Sequence, residues 1–379
     1  MKIVIAPDKF RGSLEATDVC KAIDEGVMRA FPAAVTRSVP LADGGEGTAS
    51  ILTEYTGGRF VPVDVHDPLG RIVGSTYGIS GDGLTAFIEM SVASGLSLLS
   101  RDEYNPMLTS TYGTGQLIRH ALDSGVAKIV LGIGGSATTD GGIGMAAALG
   151  YEFYDQKGIL LDPVGGSLGQ IHRISTDKVD SRLQSKKIVV ACDVTNELHG
   201  RLGAAYVYGP QKGADDAMVV NLDEGLKNLS RVASEKFEKD YSDYPGAGAA
   251  GGLGAGALWF LSAELHPGVN IVMEHTGLEG LVQEADLVIS GEGKVDDQTL
   301  QGKVIKGLAV LCQKHSVPLA VVCGTLSISP EEAREAGITC AVSVLNKPTT
   351  LEQAQKEAFE NIRDATFSLV RLFFSGRES

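Results

Sequence analysis

Short, unbroken runs of Val, Ile, Leu and Ala recur along the chain: "IVIA" 3–6, "KIVLGI" 128–133, "KIVVA" 187–191, "DLVIS" 286–290, "LAVVC" 319–323 and "CAVSV" 340–344. None alternates apolar with polar. Each therefore predicts a strand covered on both faces, as in a parallel sheet. Helical periodicity falls between several of them. Val19, Ala22, Ile23, Val27, Ala30 and Phe31 share one face of a helix over 19–31. Another helix is expected near 298–314, and "SPEEAREAG" predicts one capped by Ser329 with Pro330 in its first turn. The last helix is expected over 350–374, opened by Thr349 and Glu352 as a capping box. Its predicted stripe is Leu351, Ala354, Ala358, Ile362, Ala365, Leu369 and Leu372. Alternating strands and helices imply right-handed crossovers. Segment 60–90 differs: Asp-Pro, Pro-Leu-Gly and Ser-Gly-Asp-Gly break it into short strands, which predicts antiparallel pairing.

The expected architecture is α/β. A discontinuous parallel-sheet domain is formed by 1–62 and 281–379, and a second α/β domain with a mixed sheet, 63–280, is inserted into it. A length of 379 residues suits two cores. With 43% hydrophobic and 21% charged residues the chain reads as soluble and globular. Its 48 glycines cluster where predicted strands end, which suggests loops built around ligands. A net charge of −14 with no dense basic cluster argues against nucleic acid; an anionic ligand would need local cations or a divalent metal. Five cysteines without a C-x-x-C pair suggest reduced thiols and a cytoplasmic protein. The seven histidines form no H-E-x-x-H, which speaks against zinc. "MKIVIAPDKF" is not expected to act as a signal peptide, and no run approaches a membrane-spanning length.

Polar chemistry gathers at the strand ends, where open α/β sheets bind ligands. After "IVIA" come Lys9, Arg11 and Ser13. "GIGGSATTDGG", 132–142, closes the next run and brings Gly134, Gly135, Ser136, Thr138 and Asp140. Backbone this bare suits close approach to an anion, although a tight strand-to-helix turn is the simpler alternative. Asp193, Thr195 and Asn196 come after "KIVVA"; Asp193 either caps a helix or does chemistry or binds metal. "GEGKVDD" after "DLVIS" supplies Glu292, Lys294 and Asp296, and Asp43 in "PLADGGEGT" either shapes an Asx turn or serves the site. Lys212 and Lys303 have the look of solvated surface lysines, and Arg201 reads as structural. "GAGAAG", 246–251, matches G-x-G-x-x-G but has no strand before it, so a dinucleotide site is not expected. It is better read as the glycine-rich start of a helix, allowing close packing or an anion at its end. No Walker-type P-loop is present.

"IAPDKFRGSL", "PLADGGEGT", "GIGGSATTDGG", "CDVTNEL", "GPQKGA", "PGAGAAGGLGAG" and "SGEGKVDDQT" resemble, in order, the motifs of the glycerate kinase type 1 family. The resemblance covers nearly the whole chain. It implies phosphorylation of D-glycerate with ATP and Mg²⁺, usually to 2-phosphoglycerate, by two α/β domains, one Rossmann-like, with the active site in the cleft between them. Lys9, Arg11, Thr139, Glu197 and Ile305 depart from the usual residues, which makes Lys9, Thr139 and Glu197 poor candidates for indispensable roles. On this footing Asp193 is expected to orient the attacking hydroxyl. Asp43, Glu292 and Asp296 are candidates for Mg²⁺, and Gly134, Gly135, Ser136 and Thr138 for nucleotide phosphates. Arg11, Ser13, Asn196 and Lys294 are the substrate candidates, with Arg11 or Lys294 on the carboxylate. Competing readings are a kinase forming 3-phosphoglycerate, a Mg²⁺-dependent sugar-phosphate phosphatase, and a non-enzymatic sensor of an anionic metabolite. The sequence leaves the oligomeric state open.

Overall fold

A computed structural model describes residues 1–42, 45, 47–296 and 304–375. In chain order its strands are β1 (Lys2–Ile5), β2 (Val35–Ser38), β3 (Arg59–His66), β4 (Ile72–Ile79), β5 (Thr85–Glu89), β6 (Lys128–Gly132), β7 (Glu152–Tyr154), β8 (Arg173–Ser175), β9 (Lys187–Ala191), β10 (Glu264–His266), β11 (Leu287–Val295), β12 (Leu319–Leu326) and β13 (Cys340–Ser343). The chain divides into two compact units, Met1–Asp43 with Val269–Ser379, and Gly44–Gly268. The sequence predicts divisions at 62/63 and 280/281. In the structure β3 pairs along its whole length with β4, which draws the segment before it into the second unit.

In the first unit the apolar runs form a parallel sheet in the order β13-β12-β11-β1-β2. Helix Ala16–Ala30 turns Val19, Ala22, Ile23, Val27 and Ala30 inward as their spacing predicts, onto Ile3, Ile5, Ile289 and Val322. Helix Pro330–Glu335 starts at Ser329, whose hydroxyl accepts from Glu332 N while the Glu332 carboxylate accepts from Ser329 N. The C-terminal helix departs from expectation. It is two helices, Leu351–Lys356 and Ala358–Phe374, and the cap is Thr350, not Thr349. The break at Glu357 resets the helical phase. The buried positions are accordingly Ala358, Ile362, Thr366, Val370 and Phe374, while Leu351 and Leu372 are 76% and 79% exposed.

The second unit carries a mixed sheet, β10-β9-β6-β5-β4-β3. β10, β9, β6 and β5 run parallel; β3 and β4 are antiparallel, as the turn signals in 60–90 imply. A hairpin-like pair, β7-β8, lies apart from this sheet. Helix Ala249–Leu261 is apolar all round and is buried all round. Ala249, Leu253, Ala257 and Leu261 join the core that includes Ile88, Leu131 and Val190. Ala255, Trp259 and Phe260 join a second one with Phe153, Leu222 and Leu226. No helix among the described residues is long and apolar enough to cross a membrane.

Candidate active site

The described candidates fall into two groups, one in each unit, that follow the carboxyl ends of parallel strands. In the second unit, β6 and β9 are neighbours, with Gly132 level with Ala191. The glycine tract and Asp193 therefore leave adjacent strand ends.

The tract is anchored before it can bind anything. Asp140 is fully buried, and its carboxylate accepts from Thr111 N and Oγ1 (both 2.7 Å), Gly142 N (3.0 Å) and Gly144 N (3.2 Å). Burial pushes its pKa up against the pull of these donors. The aspartate is thus a staple between the tract and the segment before helix Tyr112–Asp123. The glycines at the far end serve packing. A Cβ on Gly251 would lie 2.0 Å from Thr138 O, and one on Gly256 2.4 Å from Gly141 O. Close packing, one of the two readings of "GAGAAG", is seen: backbone meets backbone at the kinked start of helix Ala249–Leu261, where Ala250, Gly251 and Gly252 have positive φ.

The near end of the tract is differently arranged. Gly135 is exposed and has φ of +73°. Leu96 N donates to Gly135 O and Ala137 N to Ser94 O, each at 2.9 Å, which ties this end of the tract to the Ser94–Leu96 segment. Among the described residues no acceptor takes the N–H of Gly134, Gly135 or Ser136. Beside them Ser136 Oγ lies 3.1 Å from Thr138 Oγ1. Free main-chain N–H groups next to hydroxyls are the kind of donors that suit an anion.

One residue read as surface is not. Lys212, in a short 3-10 turn after "YGP", is 2% exposed. Its Nζ donates to Thr138 O at 2.5 Å and reaches Ser136 Oγ at 3.4 Å. Desolvation pushes its pKa down to about 7, with the charge of Asp140 pulling the other way. Glu89, at the end of β5, also escapes sequence reasoning. It accepts from Gly47 N (2.9 Å) and Ala49 N (2.8 Å), holding the start of helix Thr48–Tyr55, where the "PLADGGEGT" motif ends. Asp43 of that motif lies outside the described residues, as does Lys303.

Asp193 is half-buried, and its Oδ1 accepts from Gly268 N at 3.1 Å. Asn196 bonds internally: Nδ2 donates to Leu202 O (2.8 Å), and Oδ1 accepts from Tyr208 Oη (2.6 Å). Arg201 stacks its guanidinium over the Tyr206 ring, in keeping with a structural role.

In the first unit β1 and β11 are neighbours. Arg11, exposed, and Ser13, whose Oγ donates to Gln355 O at 3.0 Å, come after β1. Glu292 and Lys294 sit at alternate positions along the end of β11 and so share a face, and Asp296 follows directly after the strand. Lys294 Nζ is 2.7 Å from Asp296 Oδ2, a hydrogen bond that raises the lysine pKa. Glu292 is level with Cys323 on β12. That thiol's pKa is pushed up to about 12, by burial first and by the Glu292 charge second. Among the described residues no group of three or more His, Cys, Asp or Glu gathers to hold a metal. Glu292 and Asp296 are nevertheless hard oxygen donors, of the kind Mg²⁺ takes one or two of when phosphates supply the rest. A cavity of about 480 Å³ in this unit, lined by Leu287, Ala320, Val342, Leu369 and Phe373 among others, includes none of the predicted site residues.

Parallel strand ends that present main-chain N–H groups, hydroxyls, lysines and carboxylates define a class, the α/β phosphotransferases, whose task is to position phosphates and neutralise their charge. Comparison with known proteins makes the assignment particular. The glycerate kinase family pattern matches residues 3–374, and the chain belongs to this family. It is 45% identical to a glycerate kinase from Bacillus cereus over 96% of this chain and 95% of that one. Its identity to the glycerate 2-kinase of Escherichia coli is also 45%, over 96% and 95% of the two chains. A crystal structure described as putative glycerate kinase 2 from Salmonella typhimurium LT2 superposes with a TM-score of 0.91 at 43% identity, covering 100% of both chains. The activity is that of a kinase acting on glycerate, with ATP as co-substrate.

Proposed function

We propose that the enzyme transfers the γ-phosphoryl group of Mg²⁺-bound ATP to the 2-hydroxyl of D-glycerate, giving 2-phosphoglycerate and ADP. The position of transfer is carried by the likeness to the Escherichia coli protein, named a glycerate 2-kinase. The phosphate assignment is carried by one observation: the N–H groups of Gly134, Gly135 and Ser136 have no acceptor among the described residues, beside the hydroxyls of Ser136 and Thr138. These groups bind nucleotide phosphate oxygens. Asp193 accepts or orients the proton of the attacking hydroxyl, its carboxylate aimed by the Gly268 N–H. Arg11 or Lys294 takes the glycerate carboxylate, Arg11 being the better fork for two oxygens, with Ser13 and Asn196 as further substrate contacts. Glu292, Asp296 and Asp43 are the residues that would hold Mg²⁺, directly or through water. When bound, the ion supplies charge neutralisation on the phosphates. Five free thiols support a reducing, cytoplasmic setting, where ATP is plentiful.

Incubation of the protein with ATP, Mg²⁺ and D-glycerate, then phosphorus NMR, tests this reading. It predicts equal amounts of ADP and 2-phosphoglycerate. Formation of 3-phosphoglycerate would overturn the position, and phosphate release from a sugar phosphate without nucleotide would overturn the kinase reading.

A further inference from the structure

We propose that Lys212 is an internal counter-charge for the glycine tract: when an anionic oxygen ligand seats on the 134–136 amides and the Ser136 hydroxyl, the buried amine takes up a proton and neutralises it. The inference rests on the reading of that tract as an anion site. Lys212 Nζ reaches two groups of the tract itself, Thr138 O and Ser136 Oγ. It makes no ion pair among the described residues, and it is 2% exposed. A lone ammonium in that position is costly, and an arriving anion removes the cost.

The surroundings leave few rivals. The tract brings Asp140, the charged group that acts on Lys212, and its carboxylate is already taken by four donors. The start of helix Ala249–Leu261 brings only Ala and Gly, with Ala250 O lying 3.5 Å from Ser136 Oγ. The turn at Tyr104 closes over Gly213 with its backbone and Cβ. Desolvation pushes the free amine's pKa down to about 7, which brings its proton within reach of exchange at physiological pH. Binding pulls it back.

Isothermal titration calorimetry of the whole protein, in buffers of differing ionisation enthalpy, counts protons taken up on binding. One arm uses a non-hydrolysable ATP analogue with Mg²⁺, the other D-glycerate, and the arm that shows uptake identifies the ligand at the tract. Uptake should rise from near zero at pH 6 to about one proton at pH 8, where the nucleotide is already fully ionised. Affinity should fall by about tenfold per pH unit above the lysine pKa. In Lys212→Met the uptake should vanish and the pH dependence flatten. Lys212→Gln, which keeps a donor, should do the same, and the wild-type uptake at pH 8 decides the matter should neither variant fold. Binding that weakens in Ser136→Ala yet takes up no proton would overturn the role of Lys212 alone. Binding of both ligands that ignores Ser136→Ala would overturn the anion site and the proposal with it.

Discussion

Replacing Gly256 by Ala should destabilise the protein, against the general rule for helices. In a helix interior Ala is favoured over Gly by about 1 kcal/mol. The added Cβ, however, would lie 2.4 Å from Gly141 O and 3.1 Å from Gly142 Cα, both backbone atoms of the stapled tract. Overpacking a close-packed interior costs about 1–3 kcal/mol, and a clash between two main chains belongs at the upper end. The net expectation is a loss of about 2 kcal/mol after the propensity gain is subtracted. For a unit of this size that lowers Tm by about 4–8 °C. Gly280, in helix Leu278–Gln283, is the control, because nothing lies within 4 Å of its would-be Cβ. Gly280→Ala should stabilise its unit by about 0.5–1 kcal/mol. Differential scanning calorimetry of both variants reads the two effects. The same push on Gly141 should raise the KM for ATP in Gly256→Ala only. If Gly256→Ala melts higher than wild type, as Gly280→Ala should, the helix does not hold the tract by close packing and the reasoning fails.

Asp193→Asn should lower kcat by at least about a hundredfold in a folded protein, measured by coupled ADP release; near-normal turnover would remove Asp193 from proton handling. Ser136→Ala combined with Thr138→Ala should raise the KM for ATP more than it lowers kcat, since it deletes hydroxyls beside the free amides. Asp140→Ala leaves the four donors it satisfies without an acceptor, and urea unfolding should show a loss on the order of 3 kcal/mol or more. Lys212 has a folded-state pKa lowered from 10.5 to about 7, so between those values the unfolded chain holds the extra proton and stability rises with pH. Lys212→Met should therefore melt above wild type at pH 6, with the gap closing towards pH 10; a constant gap would contradict the buried-amine assignment.

The strands were legible because fully covered strands need unbroken apolar runs, and β1, β6, β9, β11, β12 and β13 fall where those runs are. Strand-end chemistry was legible for the same reason: where an apolar run stops, the next residues lie at the sheet edge. Burial of a polar residue was not. Lys212 lies between Gln211 and Gly213 in a turn, and only its fold partners Thr138 and Ser136 make it internal. Glu89 closes an apolar strand much as Asp193 does, so its place was a signal, but "IEMS" carries no glycine tract to attract notice. The double use of "GIGGSATTDGG" was hidden too. Its exposed end at Gly135 and its packed end at Gly141–Gly142 have the same composition, and only helix Ala249–Leu261 separates their tasks. The misplaced stripe of the last helix has a simple cause: periodicity cannot show a one-residue break such as Glu357 when apolar residues continue on both sides.

A crystal structure of the protein with Mg²⁺ and a non-hydrolysable ATP analogue tests the central claim most directly. Phosphate oxygens should lie within about 3 Å of the amide nitrogens of Gly134, Gly135 and Ser136. Phosphates seated elsewhere, with those amides facing only water, would show that the glycines serve packing alone.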